Sequence, residues 1–338
     1  MSALPKPPQI KPATIYRHAF GVYPSLAMLA GMQLDVFTPL KHGPKTAAEV
    51  ARAIGVDVRK LQPLLYALVN AELLTLDSER FANTAEAQVY LVRGEPTYVG
   101  SVHELYADLW HAALQAGQSI RTGTPQVKHD FATMSDDELG AFFRGLHAGA
   151  LAVGRQLAAR FGFDAVSTLL DVGGGSGGLA IAACQSCPNL SATVIELSRI
   201  VPFAEEFVRK AGLAERIRVE AANVVEQAPQ GRFDVATLRN LLQVLGPDDA
   251  RQAVRNVGDA VAPGGLLVII GHVVDDSGVA PAEAVGMNLA FLSIYDEGQA
   301  HTEREHRAWL VEAGFAEVEV HYRAAQGGAS IVSARKRH

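Results

Sequence analysis

Apolar residues run almost unbroken from Tyr16 to Leu40, behind a segment of residues 1–12 that carries four prolines and reads as an arm. The run predicts helices that bury most of their faces. From Thr46 to Ile54, Val50, Ala51 and Ile54 recur at helical spacing. Asp57 is placed to cap a second helix, whose stripe at i, i+3, i+4, i+7 is Leu61, Leu64, Leu65 and Leu68. Leu73–Leu76, a polar turn over residues 77–80 and the apolar Phe81 then predict a β-wing, so the first module is winged-helix-like. Helical patterns follow over Tyr98–Ile120 and Asp136–Arg160, joined by a polar loop through Gly123, Pro125 and His129.

From Thr168 the pattern changes. Short β-rich runs at Leu169–Val172, Thr193–Ile195, Ile217–Val219, Phe233–Leu238 and Leu266–Ile270 alternate with helix-length segments, the signature of a parallel, doubly wound α/β sheet. Near the end Val318, Val320 and Tyr322 alternate, a Gly327-Gly328 turn follows, and Ser330–Ala334 returns directly, which predicts a closing antiparallel hairpin. The expected division is a winged-helix-like domain over residues 1–100, a helical segment over 101–165 and an α/β domain over 166–338.

Charge narrows the partners. Thirty Lys and Arg against 36 Asp and Glu give a net charge of −6, with no general pull towards nucleic acid or an anionic membrane. The second helix of the winged module offers DNA only Arg59 and Lys60 beside Asp57, and the module has no basic stripe. The two cysteines, Cys184 and Cys187, exclude a disulfide scaffold and fit a reducing cytoplasm. The sequence has neither a membrane-spanning apolar run nor the apolar core of a signal peptide.

Residues 171–178, Asp-Val-Gly-Gly-Gly-Ser-Gly-Gly, follow a strand and open a helix, so the chain can turn tightly and a ligand can approach bare backbone. Gly173, Gly175 and Gly178 fit G-x-G-x-x-G, a pattern that several nucleotide folds share. Glu196, 18 residues after Gly178 at the end of the second strand, is placed to accept both ribose hydroxyls, which serves NAD and S-adenosylmethionine equally. Asp171 separates them: a carboxylate at the end of the first strand attracts a sulfonium or ammonium and repels a pyrophosphate. The expected cofactor is S-adenosyl-L-methionine.

At these residues the chain resembles the dimeric small-molecule O-methyltransferases of plant phenylpropanoid and bacterial natural-product pathways. The resemblance covers nearly the whole chain. It rests on residues 16–21 (Tyr-Arg-His-Ala-Phe-Gly), the winged-helix segment, Trp110, residues 121–125 (Arg-Thr-Gly-Thr-Pro), the glycine loop, residues 262–265 (Ala-Pro-Gly-Gly) and residues 301–305 (His-Thr-Glu-Arg-Glu). It implies a seven-stranded Rossmann-like methyltransferase domain, a winged helix used for homodimerisation rather than DNA, and a small-molecule acceptor. It also implies that Gly173 lies against the methionine end of the cofactor, that Glu196 binds the ribose, that the pair Ala222-Asn223 occupies the slot that contacts adenine with Val224 also at the cofactor, and that Arg239 stands where a Lys usually reaches the cofactor. Trp110, Phe143, His147, Asn288, Phe291 and Tyr295 fall on positions that line the acceptor pocket.

The chain departs from the family at the base. Members usually deprotonate a phenol with a His after the fourth strand, flanked by two carboxylates. Here Gln243 stands in the His slot and Gly271 and Ala300 in the carboxylate slots. An amide accepts no proton at neutral pH. Either another residue acts, with His147 the imidazole that the resemblance brings to the pocket, or the acceptor needs no base, as for an acidic phenol, an amine or an enolisable carbon. The expected reaction is O-methylation of an aromatic or conjugated molecule, with His147 and Gln243 as the catalytic candidates and Gln243 reduced to a polar anchor if His147→Ala leaves kcat and its pH profile unchanged. C- or N-methylation of a keto acid, tetrapyrrole or heterocycle and, in another class, a ligand-sensing regulator are the rivals. Loss of methylation itself is a further outcome.

Other conspicuous residues have plainer readings. Cys184 and Cys187 resemble a redox pair, but a helix C-terminus raises thiol pKa values. His272, His301 and His306 lack a close carboxylate pattern for metal, and Met287, Phe291 and Tyr295 at i, i+4, i+8 equally suit core packing.

Overall fold

A computed structural model describes residues 10–95, 97–131, 133–322 and 329–338; the proline-rich arm up to residue 9 and the Gly327-Gly328 turn lie outside them. The chain forms two compact units, residues 1–107 and 108–338.

The first unit opens with α1 (Ala13–Gly21) and α2 (Tyr23–Gln33), then β1 (Lys45–Thr46), α3 (Ala47–Ile54), α4 (Val58–Asn70), β2 (Leu74–Asp77), β3 (Arg80–Asn83) and α5 (Ala85–Tyr90). Thr46 starts α3 with a capping box: its hydroxyl accepts the Glu49 N–H while the Glu49 carboxylate accepts the Thr46 N–H. Asp57 caps α4 by accepting the Arg59 N–H at 2.8 Å. Leu61, Leu65 and Leu68 are buried with Val36, Phe37, Val50 and Phe81, beside an antiparallel sheet in the order β1-β3-β2. This is the winged-helix pattern. The apolar run before it does not bury most of its faces as expected, since α1 has no buried residue and Phe20 is 61% exposed within the chain.

α6 (His103–Leu114) crosses the division between the units, and α7 (Ala116–Thr122) follows. The single helix expected over Tyr98–Ile120 is thus interrupted at Gln115, and Gly117 in the second piece adds little helical preference. α8 (Asp136–Phe161) is opened by a Ser135–Glu138 capping box and closed by Gly162 at φ 64°.

The remaining elements are β4 (Thr168–Val172), α9 (Gly178–Ser186), β5 (Ser191–Glu196), α10 (Val201–Lys210), β6 (Ile217–Ala221), β7 (Phe233–Arg239), α11 (Pro247–Ala260), β8 (Val261–Gly271), α12 (Ala282–Ile294), α13 (Glu303–Glu312), β9 (Phe315–His321) and β10 (Ser330–Lys336). The seven strands lie in the order β6-β5-β4-β7-β8-β10-β9. β4 to β8 pair in parallel, and β10 pairs antiparallel with both β8 and β9. The expected doubly wound sheet and its antiparallel end are both present. Alternate residues face opposite layers: Leu170, Val172, Leu238 and Ile269 pack with α11 and α13, whereas Leu169, Val194, Val235 and Val268 pack with α8 and α9. Strand order reverses at β4, and a ligand crevice forms at the carboxyl ends of strands around such a point.

Candidate active site

Between β4 and α9 the chain turns through Gly173 and Gly175 at φ 63° and 58°, a backbone region that disfavours other residues. A Cβ on Gly173 would lie 3.1 Å from the Leu241 side chain, and one on Gly175 would lie 3.2 Å from the Phe143 ring. The loop therefore packs between α8 and the end of β7. Glu196, the last residue of β5, is buried; its Oε1 accepts the Gly175 N–H at 2.9 Å and its Oε2 the Leu197 N–H at 2.8 Å. Asp171 is fully buried beneath the loop, with Oδ1 accepting the Thr237 hydroxyl at 2.9 Å and Oδ2 without a hydrogen-bond partner among the described residues.

These carboxyls are held far from their usual behaviour. Burial pushes Asp171 up to about 6, against the Thr237 hydroxyl and the Arg239 charge. Burial likewise pushes Glu196 up to about 7, against its two amide donors, and the Asp171 charge adds to the rise. Arg239 ends β7, where burial lowers its pKa and Asp171 opposes the shift. After β6, Asn223 folds back on itself: Oδ1 accepts the Val225 N–H at 3.1 Å and Nδ2 donates to Glu226 at 2.9 Å. Val224 is buried, its carbonyl held by Asn256.

On the far side of β7, Gln243 lies in a 3₁₀ turn and its Oε1 accepts the His272 N–H at 3.0 Å. A Cβ on Gly271 would sit 3.0 Å from that oxygen. The turn is pinned by His301, whose buried Nε2 donates to the Leu242 and Leu245 carbonyls at 2.9 and 3.1 Å. Along α12, Asn288 Oδ1 accepts the Ala300 N–H at 2.7 Å, and Phe291 packs with Met287 and Tyr295. Asn288 and Tyr295 line a cavity of about 380 Å³ whose other wall is Ser119, Thr124 and Pro125. Trp110 is half-buried on α6. Phe143 is buried on α8 among Phe131, Phe142 and Phe203. His147 Nδ1 bonds the Ser176 hydroxyl at 2.8 Å and its ring stacks on Phe207 at 4.3 Å, so it meets the glycine loop and α10.

Two family models match this chain: an O-methyltransferase domain over residues 112–316 and an O-methyltransferase dimerisation domain over residues 16–93. A 3-hydroxy-5-methyl-1-naphthoate 3-O-methyltransferase from Streptomyces sahachiroi is 30% identical over 335 residues, covering 98% of this chain and 97% of that protein. The chain belongs to the S-adenosylmethionine-dependent small-molecule O-methyltransferase family. The tetracenomycin polyketide synthesis 8-O-methyl transferase of Streptomyces glaucescens is 29% identical over 91% of this chain and 92% of its own length. The fold agrees with human N-acetylserotonin methyltransferase, solved in complex with its donor, at a TM-score of 0.80 with 22% identity over 98% of this chain and 100% of that one.

A methyltransferase donor suits the residues on β4 and β5. Bare backbone at Gly173 and Gly175, an orphaned carboxylate oxygen on Asp171 and the lone pairs still open on Glu196 match a molecule with a sulfonium charge and a ribose diol. The cysteines belong to the core of this domain, where burial rather than the helix dipole pushes the Cys184 thiol up to about 11. His301 and His306 pack against Trp309 with ring nitrogens on backbone carbonyls. Sequence reasoning missed the Asp171–Thr237 bond, the His272 amide on Gln243, and a contact of 3.0 Å between Asp108 Oδ2 and His129 Nε2. None has a local signal, since each joins residues distant in sequence.

Proposed function

We propose that the enzyme moves a methyl group from S-adenosylmethionine to a hydroxyl oxygen of a small aromatic or conjugated molecule, acting as a cytoplasmic homodimer. The observation that carries this reading is the glycine loop itself, hydrogen-bonded to Glu196 through the Gly175 N–H and closed on its other side by the Phe143 ring. When bound, the donor supplies a methyl group on a sulfonium. The chain's own residues do the rest by positioning. Glu196 takes the ribose hydroxyls, Gly173 and Gly175 admit the methionine and ribose portions, and Asn223 with Val224 borders the adenine. Arg239 reaches the donor from β7 and balances the buried Asp171. Holding reactants in line supplies about 7 to 11 kcal/mol of a barrier in the best cases.

Trp110, Phe143, Asn288, Phe291 and Tyr295 enclose the acceptor in this reading. Gln243 anchors it, with its amide aimed by the His272 N–H. The family's dimerisation model over residues 16–93 and the exposed apolar side chains of α1 support the homodimer. No described helix is long and apolar enough to cross a membrane, and both cysteines are free thiols, in keeping with a reducing compartment.

A screen of phenols, keto acids and amines with radiolabelled donor tests the reading. Label transferred to phenols in alkali-stable ether linkage is the expected result. Label found only on carbon or nitrogen overturns it in favour of the second reading, which the amide in the place of the family's base supports.

A further inference from the structure

We propose that His129, oriented by Asp108, is the group that takes the acceptor's proton, replacing the histidine that Gln243 displaces. The proposal rests on the O-methylation reading above.

A proton acceptor needs an imidazole with one nitrogen fixed as donor and the other bare. His129 meets both conditions. Its Nε2 lies 3.0 Å from the Asp108 carboxylate, which fixes the proton on that nitrogen. Its Nδ1 is buried and has no hydrogen-bond partner among the described residues. The ring stands edge-on to Tyr295 at 6.4 Å and to Phe142 at 6.0 Å, and Tyr295 lines the cavity beside Asn288. The segment that carries it is tied to the end of α12, where the Val127 and His129 N–H groups donate to the Ser293 and Ile294 carbonyls at 2.8 and 3.2 Å. The ring's position is therefore set by the helix that bears Asn288, Phe291 and Tyr295.

The other imidazoles nearby are less suited. His147 engages Ser176 through Nδ1, and His301 holds two carbonyls under the Gln243 turn. His272 has its ring 5.8 Å from Phe291 but no carboxylate partner among the described residues. Among the described residues, His129 is the imidazole that both pairs with a carboxylate and abuts a side chain lining that cavity.

In the step assigned to it, the acceptor's O–H bond breaks and its proton passes to His129 Nδ1. The freed oxygen pair forms the new C–O bond as the carbon–sulfur bond breaks, with that bonding pair staying on sulfur. The Asp108 carboxylate stabilises the imidazolium until the proton leaves to water with the product.

The test uses the full chain with two acceptors, 2-naphthol, which is protonated at neutral pH, and 4-nitro-1-naphthol, which is largely ionised there. For His129→Ala, kcat on 2-naphthol is expected to fall by about 10² or more, while kcat on the ionised acceptor stays within about threefold and donor affinity is unchanged. Added imidazole is expected to restore part of the loss. Asp108→Asn, a milder change should His129→Ala fail to fold, is expected to show the same acceptor dependence. Wild-type-like kcat on 2-naphthol in both variants overturns the dyad, and so does an equal loss on both acceptors or a wild type that accepts only the ionised one. A wild type that methylates neither acceptor or any other phenol sinks the O-methylation reading itself.

Discussion

Glu196 Oε1 lies 2.9 Å from the Gly175 amide nitrogen, so the acid at the end of β5 and the loop at the end of β4 form one hydrogen-bonded unit. A donor that lies across both strand ends meets a preformed surface. Hydrogen bonds to a charged acceptor contribute about 1.5 to 3 kcal/mol each, so Glu196→Ala is expected to weaken donor binding at least about tenfold with the fold intact. Isothermal calorimetry reads this directly; unchanged affinity in a folded variant would remove Glu196 from the site.

The same carboxyl makes donor binding depend on pH. Asp171 and Glu196 are raised to about 6 and about 7 in the fold, above their usual values near 4, so each favours the protonated folded state. The stability they contribute is present in full below their unfolded values and is lost as pH rises through 6 to 7. A bound sulfonium and ribose diol favour the ionised carboxylates instead. Donor affinity is therefore expected to rise from acid pH to above 7, with protons released on binding. Calorimetry in two buffers of different ionisation enthalpy measures that release, and Glu196→Gln is expected to flatten the dependence.

His147 bonds Ser176, which is itself buried in the glycine loop. His147→Ala is expected to raise the KM for the donor several-fold and to leave kcat at saturating donor within about threefold. A fall in kcat of about 10² with unchanged donor KM would instead restore His147 to the role of base.

Gln243 Oε1 is engaged by the His272 amide, and its Nε2 is the part left to meet an acceptor. Gln243→Ala is expected to raise the acceptor KM and to change kcat little. Equal losses in kcat and kcat/KM would mark an interaction made only in the transition state.

On α1, Tyr16 is 58% exposed and Phe20 61%. Replacing both with Glu is expected to convert a dimer to a monomer in light-scattering chromatography, since a buried apolar interface does not tolerate paired charges. A double variant that remains dimeric would place the interface elsewhere.

Local patterns carried the fold into view. The Leu61, Leu65 and Leu68 stripe, the Asp57 cap and the β-rich runs from Leu169 to Ile270 each encode an element within a few residues, and the elements form as read. The glycine loop and Glu196 were legible for the same reason, because a strand, a tight turn and a helix are adjacent in sequence. Burial of α1 was not legible, because periodicity records that a face is apolar without recording what covers it. The Asp108–His129 pair and the contact of His147 with Ser176 were hidden for another reason: each joins a helix to a loop distant in sequence, so tertiary packing and not sequence neighbourhood brings those side chains together.

β10 lies between β8 and β9, pairing with the first through residues 330–335 and with the second through residues 331–336. During synthesis β9 emerges before the strand that joins it to the sheet, so this edge has no partner until residue 336 has left the ribosome. The β6-β5-β4-β7-β8 block, which carries the glycine loop and Glu196, has no such dependence. Along the nascent chain each strand from β5 to β8 therefore meets a partner already made, whereas the outer edge is the part of the sheet whose pairing becomes available last.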